Sequence, residues 1–180
     1  MKILYLALAL LAISAWGGPL GNPIDFEINR VGIEAKARRG GASPTISISS
    51  EHQLDDSGLD HLYLHVIEVD RAEVGVKGSS TISEIARRVS EKLGQAERAN
   101  YEDLLAALGF SSGDDYSDFC WFEGQVKIYS VSDKFPRITS QTSHTGVSNV
   151  RYSIALSDCE QFITTEKSLI ESAKEESNDN

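Results

Sequence analysis

The sequence is poor in cysteine and in basic residues, and it has no apolar run long enough to cross a membrane. Its two cysteines, Cys120 and Cys159, are too few for a disulfide scaffold and form no CxxC metal or redox pair. The N-terminal apolar run from Ile3 to Ile13 is much shorter than the ~20 residues of a membrane span, so no stable membrane association is expected. These absences indicate an ordinary globular chain of 180 residues, long enough for one domain with its own core.

The deficit of basic side chains limits how the chain can meet nucleic acid. Against 27 acidic residues stand 17 basic ones, and the resulting net charge of −10 argues against a protein that coats nucleic acid by bulk electrostatics. The charge is uneven, because residues 1–50 carry five basic and three acidic side chains while residues 51–180 carry twelve and twenty-four. Any contact with nucleic acid is therefore expected to be local.

The first fifteen residues fit two different structures. Met1-Lys2, the apolar run and the small residues Ser14 and Ala15 have the outline of a secretory signal. The same run is dominated by leucine and alanine, which also suits a buried core helix. Composition alone does not separate the two.

A β-hairpin is predicted after the Gly/Pro-rich segment that follows. Alternation of apolar and polar residues indicates strands over Ile24–Ile28 and Val31–Ala37, joined by a tight turn. In the second strand Glu34 and Lys36 share one face and the apolar side chains share the other. The hairpin is therefore expected to have one polar, charged face.

The remaining pattern alternates strands and helices without an internal repeat or a long linker. A capping box at Thr81 to Glu84 marks the start of one helix, and Gly109 marks the end of the next. One α/β domain is the simplest architecture. The expected strands are Thr45–Ile48, Leu59–Val69, Trp121–Val131 and Val150–Leu156, and the expected helices are Ser49–Leu54, Thr81–Leu93, Glu97–Leu108 and Glu166–Glu176, before a polar tail at Ser177–Asn180.

The candidate chemistry lies on the hairpin. With Asn29 and Arg30 as the two loop residues, Asp25 stands directly opposite Glu34, with Cβ atoms ~4.5–5.5 Å apart. Two facing carboxylates destabilise a sheet unless a cation lies between them. Oxygen-only ligands favour Mg²⁺, which commonly takes one or two protein carboxylates and completes its shell with water and substrate phosphate.

Lys36 adds a cation to this pair of acids. It lies about 6.6 Å beyond Glu34 on the same face, within reach of an attacking water and a scissile phosphate. A metal ion that lowers the pKa of its bound water, together with a lysine that neutralises the transition state, is typical of phosphodiester cleavage. Arg38 and Arg39 in the following loop are candidates for binding the flanking phosphates of DNA.

A plainer alternative fits the same residues. Asp25, Glu34 and Lys36 would then form the solvated face of an edge hairpin, where an ion pair contributes little. A register slip of one residue would turn Asp25 away from Glu34. Two further side chains are accessory candidates, Glu27 on the first strand and Gln53, which follows the third strand and is placed to position a water or the metal.

Several stretches of the chain match a known pattern: Trp16–Phe26, Ile33–Lys36, Ile48–Leu54, Val126–Tyr129, Phe135–Ile138 and Val147–Ile154. Together they resemble the bacterial proteins called PD-(D/E)xK motif proteins, members of the restriction-endonuclease-like nuclease superfamily. The similarity extends from Trp16 to about Phe162.

The resemblance implies an α/β fold with a restriction-endonuclease-like mixed central sheet flanked by helices. It implies Mg²⁺-dependent cleavage of DNA, with Mn²⁺ as a second metal, in bacterial restriction or phage defence. Asp25 would be the first acid of the motif, Glu34 the second and Lys36 its lysine, while Ala35 would offer its backbone carbonyl to the metal. Partner proteins of a defence system and a homodimer are compatible with it.

Two features depart from the family pattern. Ile24 separates Pro23 from Asp25, so the literal Pro-Asp pair is absent. The resemblance also implies a longer N-terminal part, in which the given residues would begin inside the apolar helix. The resemblance favours a cytoplasmic protein in which residues 1–15 are the remnant of that part, with residues 1–165 as one nuclease-like domain and 166–180 as a helix and tail. The alternatives are an inactive nuclease-fold protein that binds DNA or a partner, and an exported protein.

Overall fold

The computed structural model describes residues 13–174, and its secondary structure alternates strands and helices as expected. The strands are β1 (Phe26–Ile28), β2 (Val31–Arg38), β3 (Thr45–Ile48), β4 (His61–Ala72), β5 (Ser80–Thr81), β6 (Cys120–Ser130), β7 (Tyr152–Ala155) and β8 (Ile163–Thr164); the helices are α1 (Ile82–Ser90), α2 (Gln95–Ala107) and α3 (Glu166–Ser172), with 3₁₀ turns at Gly18–Leu20 and Leu156–Phe162.

The main sheet has mixed strand directions. Its order is β1-β2-β4-β6-β5, and β8 pairs with β6 beside this path. The pairing of β2 with β4 is parallel, whereas β1 with β2 and β4 with β6 are antiparallel. The long strand β4 lies at the centre of this order. The expected α/β class with a mixed central sheet and flanking helices is confirmed.

A second, two-stranded sheet of β3 and β7 packs over one face of the main sheet. Ile46 and Ile48 of β3 join Leu64 of β4 and Tyr129 of β6 in the largest apolar cluster of the described residues. On the opposite face Leu169 of α3 packs with a smaller cluster that includes Tyr63 and Ile128. β2 therefore presents one of its faces to the space between the two sheets and the other to the helical side.

The start of α1 and the end of α2 lie at the capping residues that the sequence predicted. The Thr81 side chain accepts a hydrogen bond from the Glu84 backbone N–H, and the Glu84 side chain accepts one from the Thr81 N–H. Helix α2 ends before Gly109, whose φ of 83° is a left-handed conformation that favours glycine.

Three expectations need correction or lie outside the described residues. Residues 49–54 form turns rather than a short helix, because the Gln53 side chain bonds back to the Ser49 N–H and the His52 N–H bonds to the Ser50 hydroxyl. The expected helix over residues 1–15 lies outside residues 13–174, except for its last residues. The expected polar tail at Ser177–Asn180 lies outside this range as well. Within that range no helix combines the length and the apolar character needed to cross a membrane.

Candidate functional site

The hairpin turn sets the register that brings the two acids together. Asn29 (φ 48°) and Arg30 (φ 61°) are both left-handed, which is the conformation of the two central residues of a type I′ turn. Strand β1 pairs with β2 through Phe26 and Ile33, and through Ile28 and Val31. The predicted register is confirmed, and extending it by one step places Asp25 opposite Glu34.

Asp25 itself lies just before β1 and is held by the preceding glycines. Its carbonyl accepts hydrogen bonds from the N–H groups of Gly17 (2.9 Å) and Gly18 (3.2 Å). Its Oδ2 accepts one from the Ala35 N–H at 2.9 Å. The first strand begins at Phe26 and not at Ile24 as the alternation suggested, and the Ala35 N–H bonds to the side chain of Asp25.

Gly18 is required beside this carboxylate. A Cβ at position 18 would lie 2.6 Å from Asp25 Oδ1, closer than van der Waals contact permits. The missing side chain leaves room for the carboxylate, and Oδ1 is left without the backbone bond that Oδ2 has. Asp25 therefore keeps one oxygen available while the other is fixed on β2.

Glu34 is fully buried, and this corrects the expectation of a solvated polar face. The side chain of Glu34 has 0% relative exposure, whereas its neighbour Ala35, on the supposed apolar face, is exposed. Alternation identified which side chains share a face but not which face is covered. The β3–β7 sheet packs over the face of Glu34, whose register partner on β4 is the buried Leu64.

The buried carboxylate of Glu34 is poorly satisfied. Neither Oε1 nor Oε2 accepts a hydrogen bond from the described residues. Lys36 Nζ forms an ion pair with Oε1 at 2.6 Å. Burial raises the pKa of Glu34 to about 7, Lys36 opposes the shift, and the carboxylate of Asp25 adds to it. Glu34 is therefore a desolvated acid that an added cation would stabilise in its charged form.

Lys36 is shared between Glu34 and Gln53. Its ammonium donates a hydrogen bond to Gln53 Oε1 at 3.2 Å, and its side chain is 18% exposed. The same Oε1 accepts bonds from the backbone N–H (2.8 Å) and the hydroxyl (3.0 Å) of Ser49. The predicted accessory residue Gln53 therefore adjoins the lysine, and the turn after β3 anchors it there.

The remaining predicted residues are not brought into this cluster. Arg38 pairs with Glu68 and donates to the Ala42 carbonyl at 2.6 Å, so its guanidinium has partners within the protein, and its binding of a DNA phosphate stays a prediction. Arg39 and Glu27 are exposed, and Glu27 stands opposite Gly32 near the edge of the sheet. Phosphate binding by Arg39 and an accessory role for Glu27 remain predictions.

The donor set fits a hard divalent cation. The carboxylates of Asp25 and Glu34, with the Ala35 carbonyl, are oxygen ligands, and the unsatisfied oxygens of Glu34 call for a positive partner. Across residues 13–174, no three His, Cys, Asp or Glu side chains form a cluster able to hold a metal. Two carboxylates suffice for Mg²⁺, which keeps several waters and binds substrate phosphate.

Sequence reasoning missed Glu68, the partner of Arg38. The parallel register places Glu68 beside Arg38 on the neighbouring strand. Glu68 is one of two acids in the second half of β4, and nothing in that local sequence indicates a partner 30 residues away.

Comparison with known proteins gives one match. A family model described as "Putative PD-(D/E)XK family member, (DUF4420)" matches residues 4–157, which is most of the chain. Neither the curated proteins nor the solved structures that were compared with the chain match it. The matched segment includes the hairpin, the third strand and the central strand that carry the site.

Proposed function

The chain belongs to the DUF4420 family of PD-(D/E)XK proteins, and on this premise we propose that it is a metal-dependent nuclease that hydrolyses DNA phosphodiester bonds. The observation that carries the proposal is the buried Glu34 carboxylate, which lies near Asp25 and, among the described residues, forms an ion pair with Lys36. A buried carboxylate with incomplete hydrogen bonding does not stabilise the fold. A buried acid with a raised pKa and incomplete hydrogen bonding is typical of a ligand-binding or catalytic site.

Mg²⁺ is the proposed cofactor, and Mn²⁺ would serve in the same place. Asp25, Glu34 and the Ala35 carbonyl would hold the ion. When bound, the ion supplies positive charge to the phosphate oxygens and lowers the pKa of its water. The fixed Oδ2 of Asp25 and the burial of Glu34 orient both carboxylates before the substrate arrives.

Lys36 is the proposed catalytic cation. Its ammonium stands beside Glu34 Oε1 and is held from the other side by Gln53. In this position it neutralises negative charge that develops on the phosphate during attack by water. Gln53 is a positioning residue, because its amide oxygen keeps the ammonium from pairing with Glu34 alone.

The proposed setting is the bacterial cytoplasm, in restriction or phage defence, where foreign DNA is the target. Sequencing the N-terminus of the mature protein tests the compartment. Loss of residues up to about Ala15 would contradict it.

Nicking of supercoiled plasmid in Mg²⁺ tests the activity. We expect Lys36→Ala to lower the rate on the order of 10²- to 10³-fold, because one electrostatic stabiliser of the transition state is lost. Lys167→Ala is the matched control, since the side chain of Lys167 is 83% exposed on α3, away from the site. Equal rates for Lys36→Ala and the wild type, or no cleavage by the wild type, would overturn the proposal.

A further inference from the structure

A pocket of about 480 Å³ lies beside the candidate site on the same face of the main sheet. This volume falls in the range of ~300–1,000 Å³ that small-ligand pockets occupy. Its walls combine apolar side chains with two ion pairs. The apolar part includes Val66, Pro44 and Leu156, and the ion pairs are Arg38 with Glu68 and Lys127 with Glu160.

The sheet register links this pocket to Lys36. Lys36 on β2 and Lys127 on β6 are both paired with Val66 on β4, so the three form one row across the sheet. With ~4.8 Å between neighbouring strands, the backbones of the two lysines lie about 10 Å apart. A DNA strand carries one phosphate per ~3.4 Å of helix axis. A strand with its scissile phosphate at Lys36 therefore has further phosphates within reach of Lys127.

The two ion pairs of the pocket differ in how easily they open. Arg38 is only 10% exposed and braced by the Ala42 carbonyl, and its Nε is buried without an acceptor. Lys127 Nζ lies 2.8 Å from Glu160 Oε1 at the rim, where the side chains are 33% and 55% exposed. Exposed pairs of this kind contribute little net stability, so Glu160 is readily replaced by another anion.

We propose that this pocket binds one nucleotide of the substrate strand close to the cleaved bond, and that its phosphate displaces Glu160 from Lys127. The sugar and base would then lie against Val66 and Leu156. Arg38 and Glu68 stay paired with each other at the inner end of the pocket. Glu160 restrains binding by occupying the phosphate position until DNA arrives. This inference rests on the proposed nuclease function.

Fluorescence anisotropy of a labelled 20-base-pair duplex tests the pocket, with Mg²⁺ present and in the Lys36→Ala background, where cleavage is slowed on the order of 10²- to 10³-fold. We expect Glu160→Gln to tighten binding about three- to tenfold, because Lys127 is freed. Glu171→Gln is the matched control, since it removes the same charge from the Lys167–Glu171 ion pair on α3. It should change the Kd less than about twofold.

Lys127→Met supplies a second, independent readout. It should weaken binding and reduce the slope of log K against log salt by about 0.7–0.9, the contribution of one phosphate contact. In the Lys127→Met background, Glu160→Gln should have no further effect.

The outcomes separate the pocket from the nuclease function. Equal effects of Glu160→Gln and Glu171→Gln on the Kd, or an unchanged salt slope in Lys127→Met, would overturn the proposal of a nucleotide pocket. If the wild type still nicks plasmid, the proposed nuclease function is not affected by that result. A wild type that neither binds nor nicks DNA would overturn both.

Discussion

Two buried glutamates of this protein have opposite hydrogen-bonding environments and opposite pKa shifts. Glu51, which is 6% exposed, accepts backbone hydrogen bonds from Asn149 (3.2 Å) and Val150 (2.9 Å). Its own backbone N–H and that of Val150 hold the pKa of Glu51 below its usual range. Glu34 is buried at least as deeply, accepts no hydrogen bond from the described residues and has a pKa raised to about 7 by burial.

The difference distinguishes a carboxylate satisfied by the fold from the carboxylate proposed as a metal ligand. The N–H groups around Glu51 satisfy a carboxylate at the moment of folding, so Glu51 ties the loop near residue 149 to the turn after β3. Among the described residues, Lys36 and the backbone of Asp25 offset only part of the cost of burying the Glu34 charge, since burial still raises its pKa. A divalent cation bound after folding would offset more of that cost.

The largest expected contrast is in catalysis. Glu34→Gln should lower plasmid nicking about 10³-fold and abolish the heat of Mg²⁺ or Mn²⁺ binding in calorimetry, because an amide lacks the charge that holds the metal. Glu51→Gln, assayed below its melting temperature, should retain both. If Glu51→Gln lost metal binding as completely as Glu34→Gln, the division between the two acids would be wrong.

The next contrast is in how stability depends on pH, measured by thermal melts in EDTA. The folded pKa of Glu34, about 7, lies above the unfolded value of 4.5, so its favourable contribution is present below pH 4.5 and is lost as the pH rises to 7. Relative to the wild type, Glu34→Gln should therefore gain up to about 3 kcal/mol in unfolding free energy between pH 4.5 and pH 8.

Glu51→Gln should show the reverse dependence. The folded pKa of Glu51 is lowered, so its contribution is present above the unfolded pKa of 4.5 and is lost as the pH falls through the folded value. The variant should melt below the wild type at pH 8, and the gap should close in acid. Parallel melting curves for the two variants would contradict the comparison.

The smallest expected effect concerns the support of Asp25. Gly18→Ala places a Cβ 2.6 Å from Asp25 Oδ1 and should displace that oxygen, lowering kcat/KM for cleavage about tenfold. Gly41→Ala is the matched control, since a Cβ there meets nothing within 4 Å. The pH dependence of stability that Glu51 produces should be the same in both variants. Equal cleavage by both would show that the position of Oδ1 is unimportant.

Local signals in the sequence predicted much of the hairpin. The two-residue turn at Asn29-Arg30 set the register, and alternation placed Glu34 and Lys36 on one face, because both depend on neighbouring residues alone. The same reasoning failed at residues 49–54, where side-chain bonds to the backbone replaced the expected helix. It also gave no indication that Arg38 pairs with Glu68, which lies on another strand.

The partners of Glu51 were beyond prediction for a similar reason. Asn149 and Val150 lie 98 and 99 residues away, and no local pattern indicates that their N–H groups converge on a carboxylate. Gln53 was found because it follows β3 directly, but its bond to Lys36 requires the turn after β3 to lie across β2.

The amino-acid order alone determined the hairpin register, the family resemblance and the choice of Asp25, Glu34 and Lys36, since each is written in contiguous residues. Tertiary structure decided that the charged face of β2 is the buried one and that Glu34 lies there without hydrogen-bond donors. The physical reason is that burial is a property of what packs over a strand. Here the β3–β7 sheet, assembled from distant segments, excludes water from a carboxylate that the strand by itself would leave exposed.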